Sequence, residues 1–218
     1  MIDLVLASLF FPLSHFLISS TPLRAILVNL LGERRYSLGY SLLAIAAIVW
    51  LIFAYRHAPA WPFWDAPKWL DLALSPVIVV SGILAVAGLT TPNPVIVRSE
   101  ALFNQPDIVR GILRVTRNAF FWGAGLFSIA HVIILGDAAA LLTFGSVGFL
   151  GIAGASILDA KKARKHGKAW NAFAAMTSNI PFLAIVQGRQ QLVLREIGLW
   201  RIALGVCVSL GAFVLHRV

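Results

Sequence analysis

Charged side chains are scarce in this chain of 218 residues, of which only 12% are Asp, Glu, Lys or Arg and 59% are hydrophobic. A globular domain carries about 25% charged residues, and its core has no room for so large an apolar fraction. Several stretches that are long enough to cross a bilayer carry no charge at all. The composition excludes a soluble enzyme and a disordered chain, and it predicts an all-α, polytopic membrane helical bundle.

Cysteine and the common enzyme signatures are also missing. Cys207 is the one cysteine, so an internal disulfide is excluded, and its neighbours Val206 and Val208 predict an apolar, buried thiol. The sequence contains no HExxH, Walker, GxSxG or GxGxxG pattern. It therefore offers no machinery for zinc proteolysis, nucleotide hydrolysis or serine esterase chemistry.

Six segments are predicted to cross the membrane, since a rise of about 1.5 Å per residue lets each one traverse a hydrocarbon core of about 30 Å. They are residues 2–19, 36–55, 72–89, 118–136, 138–158 and 197–215. A further uncharged stretch within residues 169–187 contains Asn171, Asn179 and Pro181, and such polar groups would need partners in lipid. We interpret this stretch as interfacial or re-entrant, and residues 1–218 as a single integral-membrane domain.

Basic residues are distributed unevenly between the connections. The first, third and fifth connections carry fourteen Lys and Arg residues, whereas the second and fourth connections and the C-terminal segment carry three. Because basic connections stay in the cytoplasm, both termini are predicted to lie outside. The lipid bilayer thus accounts for the net charge of +9, and no nucleic-acid partner is expected.

Two local patterns predict packing. Trp61, Trp64 and Trp69 fall in one outer connection, which favours an aromatic belt on a short structured loop. The fifth span has a glycine at every third position, which favours close approach of a neighbouring helix; room for a flat cofactor or a rigid polyene is the alternative. These glycines are Gly145, Gly148, Gly151 and Gly154.

The histidines are the main candidates for chemistry. His15 and His131 lie inside hydrophobic spans, where an ionisable side chain is costly and usually faces a partner or a cavity. His57 lies at the end of the second span and is held as a substitute ligand. His166 and His216 lie beside basic residues and are predicted to be solvated surface side chains.

Two interpretations of His15 and His131 stay open at this point. A buried neutral imidazole can simply bond to a backbone carbonyl or to a serine on a neighbouring helix. Alternatively, the two imidazoles ligate the iron of a haem b, because nitrogen ligands on different helices in an apolar pocket suit axial ligation. The topology puts His15 in the inner half of the membrane and His131 in the outer half, an axial offset of up to about 10 Å.

Three groups of residues resemble the NnrU family of membrane proteins. The central group is Arg114-Val115-Thr116-Arg117-Asn118-Ala119, Trp122-Gly123, Ala130-His131 and Gly136-Asp137. The amino-terminal group is His15, Pro22-Leu23-Arg24, Gly32-Glu33 and Tyr36. The carboxyl-terminal group is Gly167, Trp170, Phe173, Thr177-Ser178, Pro181-Phe182, Gly188-Arg189 and Glu196-Ile197-Gly198-Leu199-Trp200-Arg201. The resemblance covers nearly the whole chain.

The resemblance implies a bacterial protein of the cytoplasmic (inner) membrane and a relative of the plant cis-zeta-carotene isomerase. It implies haem b, with His15 and His131 as axial ligands of the iron and His57 at the position of a further histidine. It also implies an accessory, sensor or assembly role in nitrite and nitric oxide (denitrification-type) redox metabolism, with a redox or reductase partner. The family motif is carried here by Arg114, Arg117, Asn118, Trp122 and Asp137.

The chain departs from the family pattern at the motif. Asn118-Ala119 stands where the family usually has His-Pro, and Gly125 and Ser128 stand where the plant enzyme has His and Cys. Because an amide does not exchange protons near neutral pH as imidazole does, we expect this chain to keep the cofactor but to lack isomerase activity. The alternative functions are an isomerase of a hydrophobic cis-polyene and an S-adenosylmethionine-dependent membrane methyltransferase, whose Thr-Arg-His-Pro segment is similar to this motif.

Overall fold

The computed structural model describes residues 1–96, 99–105 and 107–215, the side chains of residues 214 and 215 excepted. Within these ranges the chain forms helices and no β-strand. The helices are α1 (Ile2–Ser20), α2 (Pro22–Arg56), α3 (Trp69–Thr90), α4 (Ile112–Val115), α5 (Ala119–Leu135), α6 (Ala138–Met176), α7 (Leu183–Val186), α8 (Leu194–Ile197) and α9 (Leu199–Leu215), and a 3₁₀-helix spans Glu100–Asn104. Arg98, His216 and Arg217, which entered the sequence-based predictions, lie outside the described residues.

The predicted spans all fall on helices. Helices α1, α2, α3 and α6 are long and apolar enough to cross a membrane, and α5 and α9 are apolar but shorter. Each of these two has 17 residues, a length of about 25 Å. The prediction of an all-α integral membrane bundle is confirmed.

The chain divides into two compact units. The first unit comprises Met1–Asp71 and Ser128–Leu150, and the second comprises Leu72–Phe127 and Gly151–Val218. Helices α5 and α6 are therefore divided, and each has one part in the first unit and one part in the second. The grouping of residues 1–218 as one domain stays a prediction.

The first unit is built on an antiparallel pair formed by α1 and α2. Trp50 Nε1 donates to Asp3 Oδ1 at 3.0 Å near one end of the pair, and the Tyr36 hydroxyl donates to the Ile18 carbonyl at 3.2 Å near the other. Apolar side chains fill the space between these contacts. The buried core consists of Leu4, Ala7 and Phe11 of α1, Ala47, Leu51 and Ala54 of α2, and Ala139 of α6.

Helix α2 begins well before the predicted span at residue 36. Pro22 occupies its first turn, and the Thr21 side chain accepts a hydrogen bond from the Leu23 N–H. A capping threonine and a proline in the first turn both favour the start of a helix. Gly32 interrupts it with φ of 78°, a conformation that glycine adopts without strain. The first connection is thus a helical segment with a kink and not an open loop.

The tryptophan-rich connection between α2 and α3 is structured, as predicted. Pro62 pairs with Asp137, the Phe63 N–H donates to the Gly136 carbonyl at 2.8 Å, and the Ala138 N–H donates to the Trp61 carbonyl at 2.9 Å. The three tryptophans are exposed. These bonds bring the second and fourth connections to the same end of the first unit.

Glycines allow the helices of the second unit to approach closely. A Cβ added at Gly205 of α9 would lie 2.5 Å from the Ile83 Cα of α3, and one added at Gly151 of α6 would lie 2.7 Å from the Phe121 carbonyl oxygen of α5. The predicted close packing of α6 is confirmed at Gly151 and likewise at Gly154. It does not extend to Gly145, where an added Cβ would meet nothing within 4 Å.

The stretch within residues 169–187 is partly helical. Helix α6 continues through it to Met176 after a break at Gly167, where φ is 48°. The chain is then irregular until α7. An interfacial or re-entrant position for this stretch stays a prediction.

Two predictions about single side chains were wrong. Cys207 is exposed and not buried, because helical periodicity turns it away from the face on which Gly205 packs against α3. His166 is half-buried and not solvated, because its ring packs on Phe103 with centroids 5.0 Å apart.

The predicted topology can be tested by labelling single cysteines in a Cys207→Ser background. Asp65 and Arg164 are exposed, whereas the neighbouring Lys162 is only 4% exposed and would label poorly. An impermeant thiol reagent added outside intact cells should label Asp65→Cys and spare Arg164→Cys until the membrane is permeabilised. Labelling of Arg164→Cys in intact cells would overturn the orientation.

Candidate functional site

His15 lies on α1 in a fixed orientation. Its Nδ1 donates to the Phe11 carbonyl, 2.7 Å away and one turn earlier, because a carbonyl oxygen can only accept. The imidazole contacts the rings of Phe11 and Tyr40, with centroid separations of 4.9 and 5.8 Å. This bond makes Nε2 the ring nitrogen whose lone pair can bind a metal.

His131 lies on the part of α5 that belongs to the first unit. It is 9% exposed, and its ring stacks on Phe144 of α6 with centroids 4.6 Å apart. Phe144 in turn contacts Tyr55 of α2. His131 is thus buried and packs on an aromatic ring of α6.

The two histidines belong to the same unit but lie at different depths. Phe16, next to His15, contacts Phe149 of α6 with ring centroids 5.7 Å apart, whereas His131 contacts Phe144. A difference of four to five residues along α6 corresponds to about 7 Å. The offset between His15 and His131 that was expected from the sequence stays a prediction.

His57 occupies a different environment from the other two histidines. It caps the end of α2, is exposed, and its Nδ1 donates to the Phe53 carbonyl at 2.8 Å. Its ring stacks on Phe53 of the same helix. No group of three or more His, Cys, Asp or Glu side chains that could hold a metal ion occurs in the described part of the chain.

The motif residues of the second unit form a buried polar network around an ion pair. Arg117 donates to Asp159 Oδ2 through Nε at 2.9 Å and through a terminal nitrogen at 2.6 Å. The two side chains are only 12% and 13% exposed. Arg117 also lies over the Trp170 ring, 5.2 Å from its centroid, and bonds to the Thr177 hydroxyl.

Asn118 extends this network in one defined amide orientation. Its Nδ2 donates to Asp159 Oδ1 at 2.8 Å and to Asn179 Oδ1 at 3.1 Å, so the nitrogen must face these two acceptors. Trp122 Nε1 donates to the same Asn179 oxygen at 3.2 Å. The buried Asn118 Oδ1 has no hydrogen-bond partner. Position 118 therefore joins α5, α6 and the segment after α6.

Arg114 belongs to a separate cluster in the second unit. Its guanidinium binds both carboxylate oxygens of Glu196, at 2.7 and 3.0 Å, and Gln190 at 2.7 Å. Hydrogen bonds from Arg114 and from the Gly111 N–H lower the pKa of Glu196. These side chains line a cleft of about 380 Å³ together with Asp107 and Arg110.

A third charged cluster joins the 3₁₀-helix to α6. Lys162 donates to Glu100 Oε1 at 3.2 Å, and Lys165 donates to the same oxygen at 3.3 Å. Burial alone raises the pKa of Glu100, but bonds from its own N–H and from the two lysines outweigh burial and lower that pKa from 4.5 to about 2. The stabilisation is complete above pH 4.5 and is lost as the pH falls towards 2.

Sequence reasoning identified the motif but not its partners. Asp137 has a structural role, because its carboxylate accepts from the Ala140 N–H at 2.7 Å and caps α6. Asp159 and Asn179 were missed, although Asp159 is the first charged residue after the predicted span 138–158. A carboxylate at that depth needs a cationic partner, but the sequence alone does not identify Arg117 as that partner.

The buried ion pair predicts a large effect on stability. Asp159→Asn leaves the Arg117 charge without its counter-ion, which costs about 3 kcal/mol or more. The matched control is Glu33→Gln, since the pair of Glu33 with Arg24 is 40% and 32% exposed, and breaking an exposed pair costs less than about 1 kcal/mol. Thermal unfolding in detergent should therefore show a much lower midpoint for Asp159→Asn than for Glu33→Gln, and equal midpoints would contradict the assignment.

Comparisons with known proteins relate the sequence of this chain to one family and one enzyme. The chloroplastic 15-cis-zeta-carotene isomerase of Zea mays is 33% identical over 84 residues, which cover 38% of this chain and 22% of the maize protein. The match thus spans less than a quarter of that relative. No solved structure matches the chain. The family described as NnrU protein matches residues 3–218, and because this match covers nearly the whole chain, the protein belongs to the NnrU family.

Proposed function

We propose that this protein is a membrane isomerase of a hydrophobic cis-polyene and that it carries haem b on His15 and His131. The observation that carries the proposal is the 33% identity over 84 residues with a protein named as a cis-carotene isomerase. The apolar, helical environment of an integral membrane protein suits a hydrocarbon-like substrate. The proposed location is the inner membrane of a bacterium, with both termini outside.

The residues of the first unit fit a haem b. His15 has its Nδ1–H bonded to a carbonyl, and this arrangement orients Nε2 as a ligand. His131 is buried against an aromatic ring, and low polarity accommodates a porphyrin. The two imidazoles of His15 and His131 would suffice to hold this cofactor, so a cluster of three ligating side chains is not required. His57 remains the substitute ligand in this proposal, although its exposure makes it the weaker choice.

The protein side chains have clear tasks in this proposal. A bound haem b would supply a redox-active iron in an apolar environment. The Phe11 carbonyl holds the His15 ring, and Phe144 holds the His131 ring. The core of Leu4, Phe11 and Leu51 excludes water, which strengthens every polar interaction made there.

A second candidate function follows from Asn118. Its Nδ2 donates to Asp159 and Asn179, and an amide cannot take part in proton transfer near neutral pH. This favours a haem b protein without isomerase activity, which acts as an accessory, sensor or assembly factor in nitrite or nitric oxide redox metabolism and has a redox or reductase partner. The comparisons lend no support to a methyltransferase, and we do not propose one.

The cofactor assignment predicts a histidine-dependent absorption spectrum. Purified wild-type protein should show a Soret band, and His15→Ala and His131→Ala should each abolish or strongly shift it. His166→Ala is the control, since this residue packs on Phe103 in the second unit, and its spectrum should match the wild type. A double variant of His15 and His131 with full haem content would refute the assignment.

The isomerase assignment predicts conversion of a cis-polyene by the purified protein. We expect wild-type protein to convert 15-cis-zeta-carotene to another geometric isomer, and His131→Ala to do so at least about tenfold more slowly, because that change removes a proposed iron ligand. Chromatographic separation of the isomers measures the conversion. A protein that shows a normal Soret band and no conversion would support the second candidate instead.

A further inference from the structure

The cleft of about 380 Å³ in the second unit has the size of a ligand site. Such sites usually have volumes of about 300 to 1,000 Å³, whereas a single water occupies about 30 Å³. Residues of the third and fifth connections line the cleft. They are Asp107, Val109, Arg110, Arg114, Met176, Gln190 and Glu196.

One wall of the cleft is a fixed, hydrogen-bonded group. Arg114 binds both carboxylate oxygens of Glu196, at 2.7 and 3.0 Å, and donates to Gln190 Oε1 at 2.7 Å. The Gly111 N–H donates to Glu196 Oε2 at 2.9 Å. Arg114 and Glu196 thus compensate each other's charge. Because the Gln190 oxygen accepts from Arg114, its amide nitrogen is left to donate to a ligand.

Two further lining residues carry opposite charges. Asp107 and Arg110 are exposed, and in the described part of the chain neither side chain takes part in an ion pair. A purely anionic ligand would be repelled by the Asp107 carboxylate, and a purely cationic ligand would be repelled by the Arg110 guanidinium. A ligand with one charge of each sign would be attracted by both residues.

The cleft adjoins the ends of two predicted spans. Glu196 directly precedes the span 197–215, and Arg114, which is bonded to Glu196, lies four residues before the span 118–136. A bilayer is about 40 to 45 Å thick and its hydrocarbon core about 30 Å, so each headgroup layer is about 5 to 7 Å thick. Residues that directly adjoin a span lie within this layer. The cleft is therefore at the level of the phospholipid headgroups.

Apolar side chains of α7, α8 and α9 are exposed in the same region of the chain. Val186 is 81% exposed, Leu194 is 56% exposed and Leu199 is 76% exposed. Exposed apolar surface beside polar residues is typical of membrane contact. Val109 and Met176 add apolar lining within the cleft itself. A molecule with a charged headgroup and apolar chains would thus match both the cleft and its surroundings.

We propose that this cleft binds a phospholipid headgroup that carries a phosphate and a primary ammonium. The phosphate accepts hydrogen bonds from Arg110 and from the Gln190 amide nitrogen, and the ammonium donates to Asp107. Hydrogen bonds between charged groups are stronger than those between neutral groups. The inference concerns the second unit and does not depend on the isomerase or the haem proposed for the first unit.

Binding of two phospholipids with identical acyl chains tests the inference. Phosphatidylethanolamine has the phosphate and the ammonium, whereas phosphatidylglycerol has the same phosphate and hydroxyl groups in place of the ammonium. Native mass spectrometry of the purified full chain in detergent should show that phosphatidylethanolamine binds about tenfold more tightly. Equal binding, or tighter binding of phosphatidylglycerol, would overturn the inference and would indicate general attraction of anionic lipid.

Two variants assign the two charges of the headgroup. Asp107→Asn should reduce the preference for phosphatidylethanolamine to less than about threefold, because it removes the partner of the ammonium. Arg110→Gln should weaken the binding of both lipids by about tenfold, because both contain the phosphate. Arg110 and Asp107 are exposed, so neither change disturbs the buried structure.

Arg34→Gln is the matched control for Arg110→Gln. Arg34 is also an exposed arginine of a basic connection, but it belongs to the first unit, and its replacement should leave the binding of both lipids unchanged. An equal loss of binding in Arg34→Gln and Arg110→Gln would contradict the site. A wild-type preference in Asp107→Asn would also contradict it.

Free phosphoethanolamine separates a lipid from a soluble ligand of the same chemistry. It contains the phosphate and the ammonium but has no acyl chains, so it cannot cover the exposed apolar side chains. At an equal concentration it should leave bound phosphatidylethanolamine in place. Displacement of the lipid by the free compound would overturn the assignment of the cleft to a lipid.

Discussion

Lipid offers no hydrogen bonds, so every polar group at membrane depth must find a partner within the chain. Helices satisfy this constraint for their own backbones, but the carbonyl groups of the last turn remain unpaired. Two arginines pair with such carbonyls in the second unit. Arg189 donates to the Ala175 and Thr177 carbonyls at the end of α6, and Arg201 donates to the Thr90 carbonyl at the end of α3. A cation there also interacts favourably with the helix dipole.

The basic residues of the connections therefore have two roles. Their number on one side sets the orientation of the chain through the positive-inside rule, and some of them also hold the connections in place. Arg117 reaches Asp159 from the start of α5, and Arg114 reaches Glu196 across more than eighty residues of sequence. Because these guanidinium groups are paired, they anchor the irregular segments between helices, which would otherwise leave polar backbone groups without partners.

The helices were predictable because composition and length determine them locally. Six uncharged or nearly uncharged stretches became six helices, and Gly151 and Gly154 allowed the predicted close packing. Features that depend on which face of a helix turns inward were not predictable. Cys207 has apolar neighbours in sequence but faces outward, and His166 lies in a basic stretch but packs on Phe103.

The candidate site was predictable only in part, for a related reason. The cost of an imidazole in hydrocarbon pointed to His15 and His131, and both belong to the first unit. The partners of the motif residues were missed, because Asp159 and Asn179 lie more than forty residues from Arg117 and Asn118 in sequence, and no local pattern connects them. A search of the sequence for carboxylates near the ends of the predicted spans would have found Asp159. It would not have found the amide of Asn179.

The described polar side chains that are buried differ in character between the two units, and this difference bears on chemistry. In the second unit the partly buried Asp159 is paired with Arg117, and the buried Lys162 is paired with Glu100. Each of these charges has a counter-ion that compensates for its removal from water. In the first unit the buried polar groups are hydroxyls and an imidazole, which are neutral donors and acceptors. Neutral groups can bind a neutral ligand or a metal without first breaking an ion pair, and for this reason we assign the proposed substrate and the proposed cofactor to the first unit.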